Sequence, residues 1–177
     1  NEWFYELSGD IEFSFGPGQL KLIALEAFEH GNFRTQSLLE LGTLADSGSR
    51  FTRVNDAGER IARGEYRVAL GGVDWQLSAE AAFNRLDQVG SLFSYDDPVG
   101  SYLPVPFPQG VGGVREKRFE SILSAGFPLA SGLTIQMTGG AEHSTISQTG
   151  SGALQRRFLR PKGSLALAWQ VDDGFSI

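Results

Sequence analysis

Cysteine is absent from the 177 residues, which excludes disulfides and thiolate metal sites. Histidine occurs twice, at His30 and His143. Both fall toward the ends of expected strands, and neither has a second ligand type at i, i+4 on a helix, so no metal site is expected. Lys and Arg number 15 against 21 Asp and Glu, a net charge of −6 with no basic run. Phosphate contacts need a basic surface, so nucleic acid is not an expected partner. No run of 18 apolar residues exists, so no helix is expected to cross a membrane. There is no nucleophile elbow, no phosphate loop and no Ser-His-Asp spacing. Gly110-Val111-Gly112-Gly113 has no helix after it and is not a dinucleotide fingerprint. No cofactor and no enzymatic activity are therefore expected. The start, Asn1-Glu2-Trp3-Phe4, has no basic region and no initiator Met, and the end stops just after a turn signal. Both ends read as cut from something longer.

What is present is alternation. From Trp3 to Phe15 the odd positions read Trp, Tyr, Leu, Gly, Ile, Phe, Phe and the even ones Phe, Glu, Ser, Asp, Glu, Ser. A period of two means a strand with one apolar and one polar face. Further strands are expected over Leu20 to Leu41, with a break near Gly31-Asn32, and over Arg50 to Leu70, with an irregularity at Asn55 to Gly58. Others follow over Trp75 to Phe93, Val114 to Phe127, from Leu133 through Glu142, and over Lys162 to Val171. The reading is all-β: an antiparallel up-and-down meander of about seven strands plus a stub. Residues 1–177 form a single β-barrel segment, with no plug domain and no signal peptide.

Connections alternate as the strands do. Gly16-Pro17-Gly18-Gln19, Gly71 to Asp74, Pro128 to Gly132 and Asp172-Asp173-Gly174 are tight-turn signals. Gly42 to Ser49 and Ser94 to Gly113 are long loops, and the second carries four of the seven prolines. A shorter loop follows near Thr149 to Gly152. Short turns at one end and long loops at the other are the plan of a transmembrane β-barrel. A soluble barrel binding an apolar ligand inside it is the alternative. Strand length favours the membrane, because about 9–11 tilted residues span a bilayer and strands of about twenty would overshoot a small soluble barrel. Aromatics also collect at strand ends, with Trp3 and Tyr5 at one, Phe13 and Phe15 at the other, and Trp75, Phe127 and Trp169 beside short turns. Two such girdles flank a lipid band. The second strand resists orientation, because both of its faces are nearly equally apolar and Glu26 falls on one of them.

The polar faces should line a lumen. Glu6, Asp10 and Glu12 share one such face. Arg63, Arg67, Arg115 and Arg118 are expected to form ladders there with Glu65, Glu116 and Glu120. Arg63, Arg67, Arg118 and Glu120 are the lumen-facing candidates for ligand contact. No catalytic residue is assigned.

The meander, the stretch Phe28-Glu29-His30-Gly31-Asn32-Phe33-Arg34-Thr35-Gln36-Ser37 and the run Arg160-Pro161-Lys162-Gly163-Ser164-Leu165 leading into Trp169 resemble barrel segments of TonB-dependent outer-membrane receptors. The resemblance covers nearly the whole chain. It implies about a third of a 22-stranded barrel in the outer membrane of a Gram-negative cell. It also implies energy-coupled uptake of a scarce ligand of siderophore, cobalamin or glycan type. The implied partners are outer-membrane lipid, the rest of the barrel, a plug domain and a TonB-type energy-coupling complex.

Overall fold

The computed structural model describes residues 2–150, 152–172 and 175–176. Nine strands form one antiparallel meander: β1 (Trp3–Phe15), β2 (Gly18–Leu39), β3 (Ser47–Leu70), β4 (Val73–Asp96), β5 (Ser101–Val105), β6 (Val111–Ala130), β7 (Leu133–Gly150), β8 (Gln155–Asp172) and β9 (Phe175–Ser176). Each long strand pairs with its neighbours in the order β1-β2-β3-β4-β6-β7-β8-β9, and β5 is a side branch on β4. Among the described residues the sheet stays open, with β1 at one edge and β8 and β9 at the other. The chain thus has seven long strands and a stub, as its alternation predicts, and one further strand that alternation did not reveal.

Two local readings are corrected. Neither Gly31-Asn32 nor Asn55 to Gly58 interrupts a strand. The register runs unbroken from Gln19↔Arg67 to Leu39↔Ser47, and from Ser49↔Ser94 to Leu70↔Val73. Pairing on both sides supplies enough ladder bonds to hold weak strand formers such as Gly and Asn in place. The two histidines are likewise inside strands, not at loop edges. His30 pairs with Asp56 across β2 and β3, and His143 pairs with Phe119 and Leu159 in the middle of β7.

The turns fit their sequence. Gly71 and Gly72 have φ of 63° and 76°, the left-handed pair that a tight two-residue hairpin demands and that only glycine adopts freely. The last predicted turn, at Asp172-Asp173-Gly174, falls partly outside the described residues.

The interior is nearly empty of hydrocarbon. Hydrophobic residues make up 41% of the chain, yet Ala82 is the one hydrophobic residue that is buried among those described. The other buried side chains are polar: Glu65, Glu142 and Ser144. All four stand on one face, the shielded side of the sheet. A soluble domain buries its large apolar residues, and this chain exposes them.

Candidate functional site

The unbroken register turns sequence parity into two faces. One carries Ile11, Phe13, Leu20, Leu22, Tyr66, Trp75, Leu77, Phe119, Leu123, Met137, Leu165 and Leu167, aligned strand to strand as in Ile11↔Leu22↔Gly64↔Ala79↔Ser121↔Ala141↔Pro161. Leu77, Leu123 and Met137 are 46%, 46% and 50% exposed, although each has neighbours on both sides in the sheet, and Leu165 on the edge strand β8 is 63% exposed. The band extends from Val73 to Phe83 on β4, from Phe119 to Phe127 on β6 and from Leu159 to Trp169 on β8. Each length is close to the roughly 9–11 residues that take a tilted strand across a bilayer. Aromatic side chains border the band near the short turns, at Phe15, Tyr66, Trp75, Phe127 and Trp169. There the Tyr66 hydroxyl donates to the Phe15 carbonyl at 3.1 Å, and its ring occupies the space a side chain on Gly18 would need. A second cluster lies toward the other end. Trp3 packs on Phe28 with ring centroids 5.0 Å apart, and Tyr5 lies 6.0 Å from Phe28.

The second strand now has an orientation. Leu20, Leu22, Ala24, Glu26 and Phe28 share the apolar face with the odd positions of β1. Lys21, Ile23, Leu25, Ala27 and Glu29 point the other way. Glu26 stands at the edge of the band, in the row of Leu7 and Phe83, where Arg60 donates to it at 2.9 Å and Tyr5 at 3.3 Å.

The opposite face is an ion-pair network. Arg63 and Arg67 grip the two oxygens of Glu65 at 2.8 and 2.9 Å. Glu80 on β4 joins β3 to β6, at 3.8 Å from Arg63 and 2.8 Å from Arg118. Lys162 on β8 links Glu120 on β6 with Glu142 on β7, and Arg160 meets Glu142 at 2.7 Å. Lys21 pairs with Asp10 at 3.2 Å near the β1 edge. The four candidates Arg63, Arg67, Arg118 and Glu120 therefore lie on this face, and each is engaged by a neighbouring charge. Glu80, Glu142, Arg160 and Lys162 belong with them. Sequence reasoning overlooked these four, although the same parity rule applied along β4, β7 and β8 would have found them.

Arg115 is a correction. It does not share the face of Arg118, because the two are three positions apart and alternation puts an odd offset on opposite sides. It pairs with Asp87 at 2.7 Å, donates to the Leu86 carbonyl and belongs to the apolar side, beyond the band. Glu116 does lie on the ion-paired side, where Asn84 donates to it at 3.0 Å.

Past the band the sheet extends well beyond what a bilayer spans, and the excursion between β4 and β6 is pinned to it. The Arg50 guanidinium lies 4.3 Å from the Phe93 ring and 4.9 Å from that of Tyr102 on β5. Tyr102 donates to the Ser37 carbonyl at 3.0 Å. Gly110 packs so closely on the Gly90 carbonyl that a Cβ would sit 2.3 Å from it. The expected long loop is therefore a built extension of the wall.

Solved structures with the same meander come from membrane receptors. The pyoverdine outer membrane receptor FpvA from Pseudomonas aeruginosa PAO1 matches 99% of this chain at a TM-score of 0.66 and 10% identity, over 28% of its own length. The fold is that of an outer-membrane receptor barrel. BauA, the ferric preacinetobactin receptor from Acinetobacter baumannii, matches 99% of the chain at 0.56 and 16% identity, over 29% of its length. The copper transporter OprC matches 96% at 0.52 and 9% identity, over 34% of its length. The chain thus spans about a quarter to a third of the receptors it resembles. No protein-family profile and no curated protein matches it.

Proposed function

We propose that residues 1–177 form one sector of the wall of a TonB-dependent receptor in the outer membrane of a Gram-negative cell. The observation that carries this reading is the inverted distribution of hydrophobicity. A seven-strand face of Leu, Ile, Phe and Met is open, while salt bridges are shielded on the other side. Lipid is the solvent that reconciles an open apolar face with a stable fold.

The rest of the barrel would cover the open edges at β1 and β8. A plug domain would sit against the lumenal network, and a TonB-type complex would supply the energy. The cargo is a scarce ligand of siderophore, cobalamin or glycan type. Arg63, Arg67, Arg118 and Glu120 are the lumenal residues proposed to meet it or the plug. Their ion pairs with Glu65, Glu80 and Lys162 give them a structural duty as well, and the cross-strand pairs that Glu80 makes with Arg63 and Arg118 each add about 0.2–1 kcal/mol to the wall.

The test is uptake by cells producing the intact protein, with and without an active TonB complex. Siderophore, cobalamin and oligosaccharide are each supplied as the limiting nutrient. Growth on one of them that requires both the protein and the energy complex supports the reading. Growth that is independent of the energy complex contradicts it.

A further inference from the structure

Beyond the apolar band, the lipid-facing side carries a recess of about 210 Å³. Phe28 and Phe83 wall it, and Arg60, Arg85, Arg115 and Lys117 surround it. Alternation sends Glu59 and Glu116, which border it through their backbone, to the other face. Two of the four cations are already neutralised, Arg60 by Glu26 at 2.9 Å and Arg115 by Asp87 at 2.7 Å. Arg85 and Lys117 form no ion pair among the described residues.

Arg85 is held in place rather than waving in solvent. Its side chain crosses Gly58, where a Cβ would come within 2.9 Å of its Nε, and its guanidinium lies 5.3 Å from the centre of the Phe28 ring. Stacking uses the flat face of a guanidinium and leaves its N–H edge free to donate. Lys117 adds a point charge opposite Phe83. The Glu26 carboxylate also lies in the field of Arg85 but is held by Arg60, so the charges of Arg85 and Lys117 are only partly offset and an anion between them would join them.

The surroundings define that anion. Directly below the recess the same face is hydrocarbon, through Ala62, Ala81 and Phe119. A fitting ligand is therefore charged at one end and apolar at the other, with its charge at the membrane interface. A phosphate monoester carries close to two negative charges near neutral pH and three acceptor oxygens, which suits two free donor groups.

We propose that this recess binds the phosphate of a phosphorylated lipid in the leaflet around the barrel, with the acyl chains lying down the apolar band. The proposal rests on the lipid-facing assignment made above.

The test uses the native protein, stripped of lipid in detergent and reconstituted in nanodiscs of phosphatidylcholine with or without phosphatidic acid. Retained phosphatidic acid is measured after washing. The wild type is expected to retain about tenfold more than the double variant Arg85→Gln, Lys117→Gln. Arg34→Gln removes a cation from the same side higher up, where Arg34 bonds Gln36, and should behave as wild type. Equal retention by the double variant overturns the proposal. So does equal loss in Arg34→Gln, which would indicate a diffuse charge effect, or displacement of the lipid by inorganic phosphate at matched concentration, which would indicate a site for the free ion. Heat-modifiable migration of every variant separates these outcomes from a failed face assignment, which would appear as a barrel that does not assemble.

Discussion

Alternation gives adjacent residues opposite fates. Leu77 is 46% exposed on the lipid side, and Ser78 faces the network beside Glu65. Arginine on the lipid face near mid-membrane costs roughly 2–4 kcal/mol, and on the lumenal face little. Leu77→Arg is expected to block assembly, and Ser78→Arg to be tolerated, in an outer-membrane assembly assay. Glu26 and Arg60 offer a subtler case. Arg60→Ala strands a carboxylate at the edge of the band and should lower the fraction of assembled barrel. The double variant Arg60→Ala, Glu26→Gln should restore it.

At the scale of elements, hairpins were readable because their signals are local. Gly71-Gly72 announces a tight turn, and the flanking strands alternate cleanly up to it. β5 was not readable, because Pro104 lies in it and a proline-rich stretch reads as loop. As a side branch that pairs only with β4, β5 tolerates a residue with no N–H to donate. Its anchoring comes from Arg50 and Ser37, which are distant in sequence and leave no local trace. Tyr102→Ala removes one ring from Arg50 and one hydrogen bond, together about 1.5 kcal/mol. Proteolysis within residues 97–110 should then be roughly tenfold faster, with heat-modifiable migration of the barrel unchanged. The orientation of β2 was hidden for a related reason. Ile23 and Leu25 are as apolar as Leu22 and Ala24, and only pairing with Ile11 and Phe13 decides which set meets lipid.

At the scale of the molecule, the fold class and the two faces of the sheet were legible, and part of the ion-pair network was legible in outline. Parity alone separates Arg118 from Arg115, and the pairing of Arg115 with Asp87 shows the rule at work. The identity of cross-strand partners was not legible, because register depends on turn lengths summed along the chain. An open sheet with a hydrocarbon face predicts that residues 1–177 produced alone aggregate in plain buffer, whereas a small closed barrel would melt cooperatively as a soluble monomer.

The central claim is that lipid lies on one side of this sheet and water on the other. The absence of cysteine from these 177 residues helps to make it directly measurable. Single cysteines at Trp75, Gln76, Leu77, Ser78, Ala79 and Glu80 in the native protein can carry spin labels, read for collision with membrane-dissolved oxygen and with a water-soluble nickel chelate. The account predicts a period of two, with Trp75, Leu77 and Ala79 meeting oxygen and Gln76, Ser78 and Glu80 meeting nickel. Equal exposure of both sets to nickel, or the reversed phase, would contradict it.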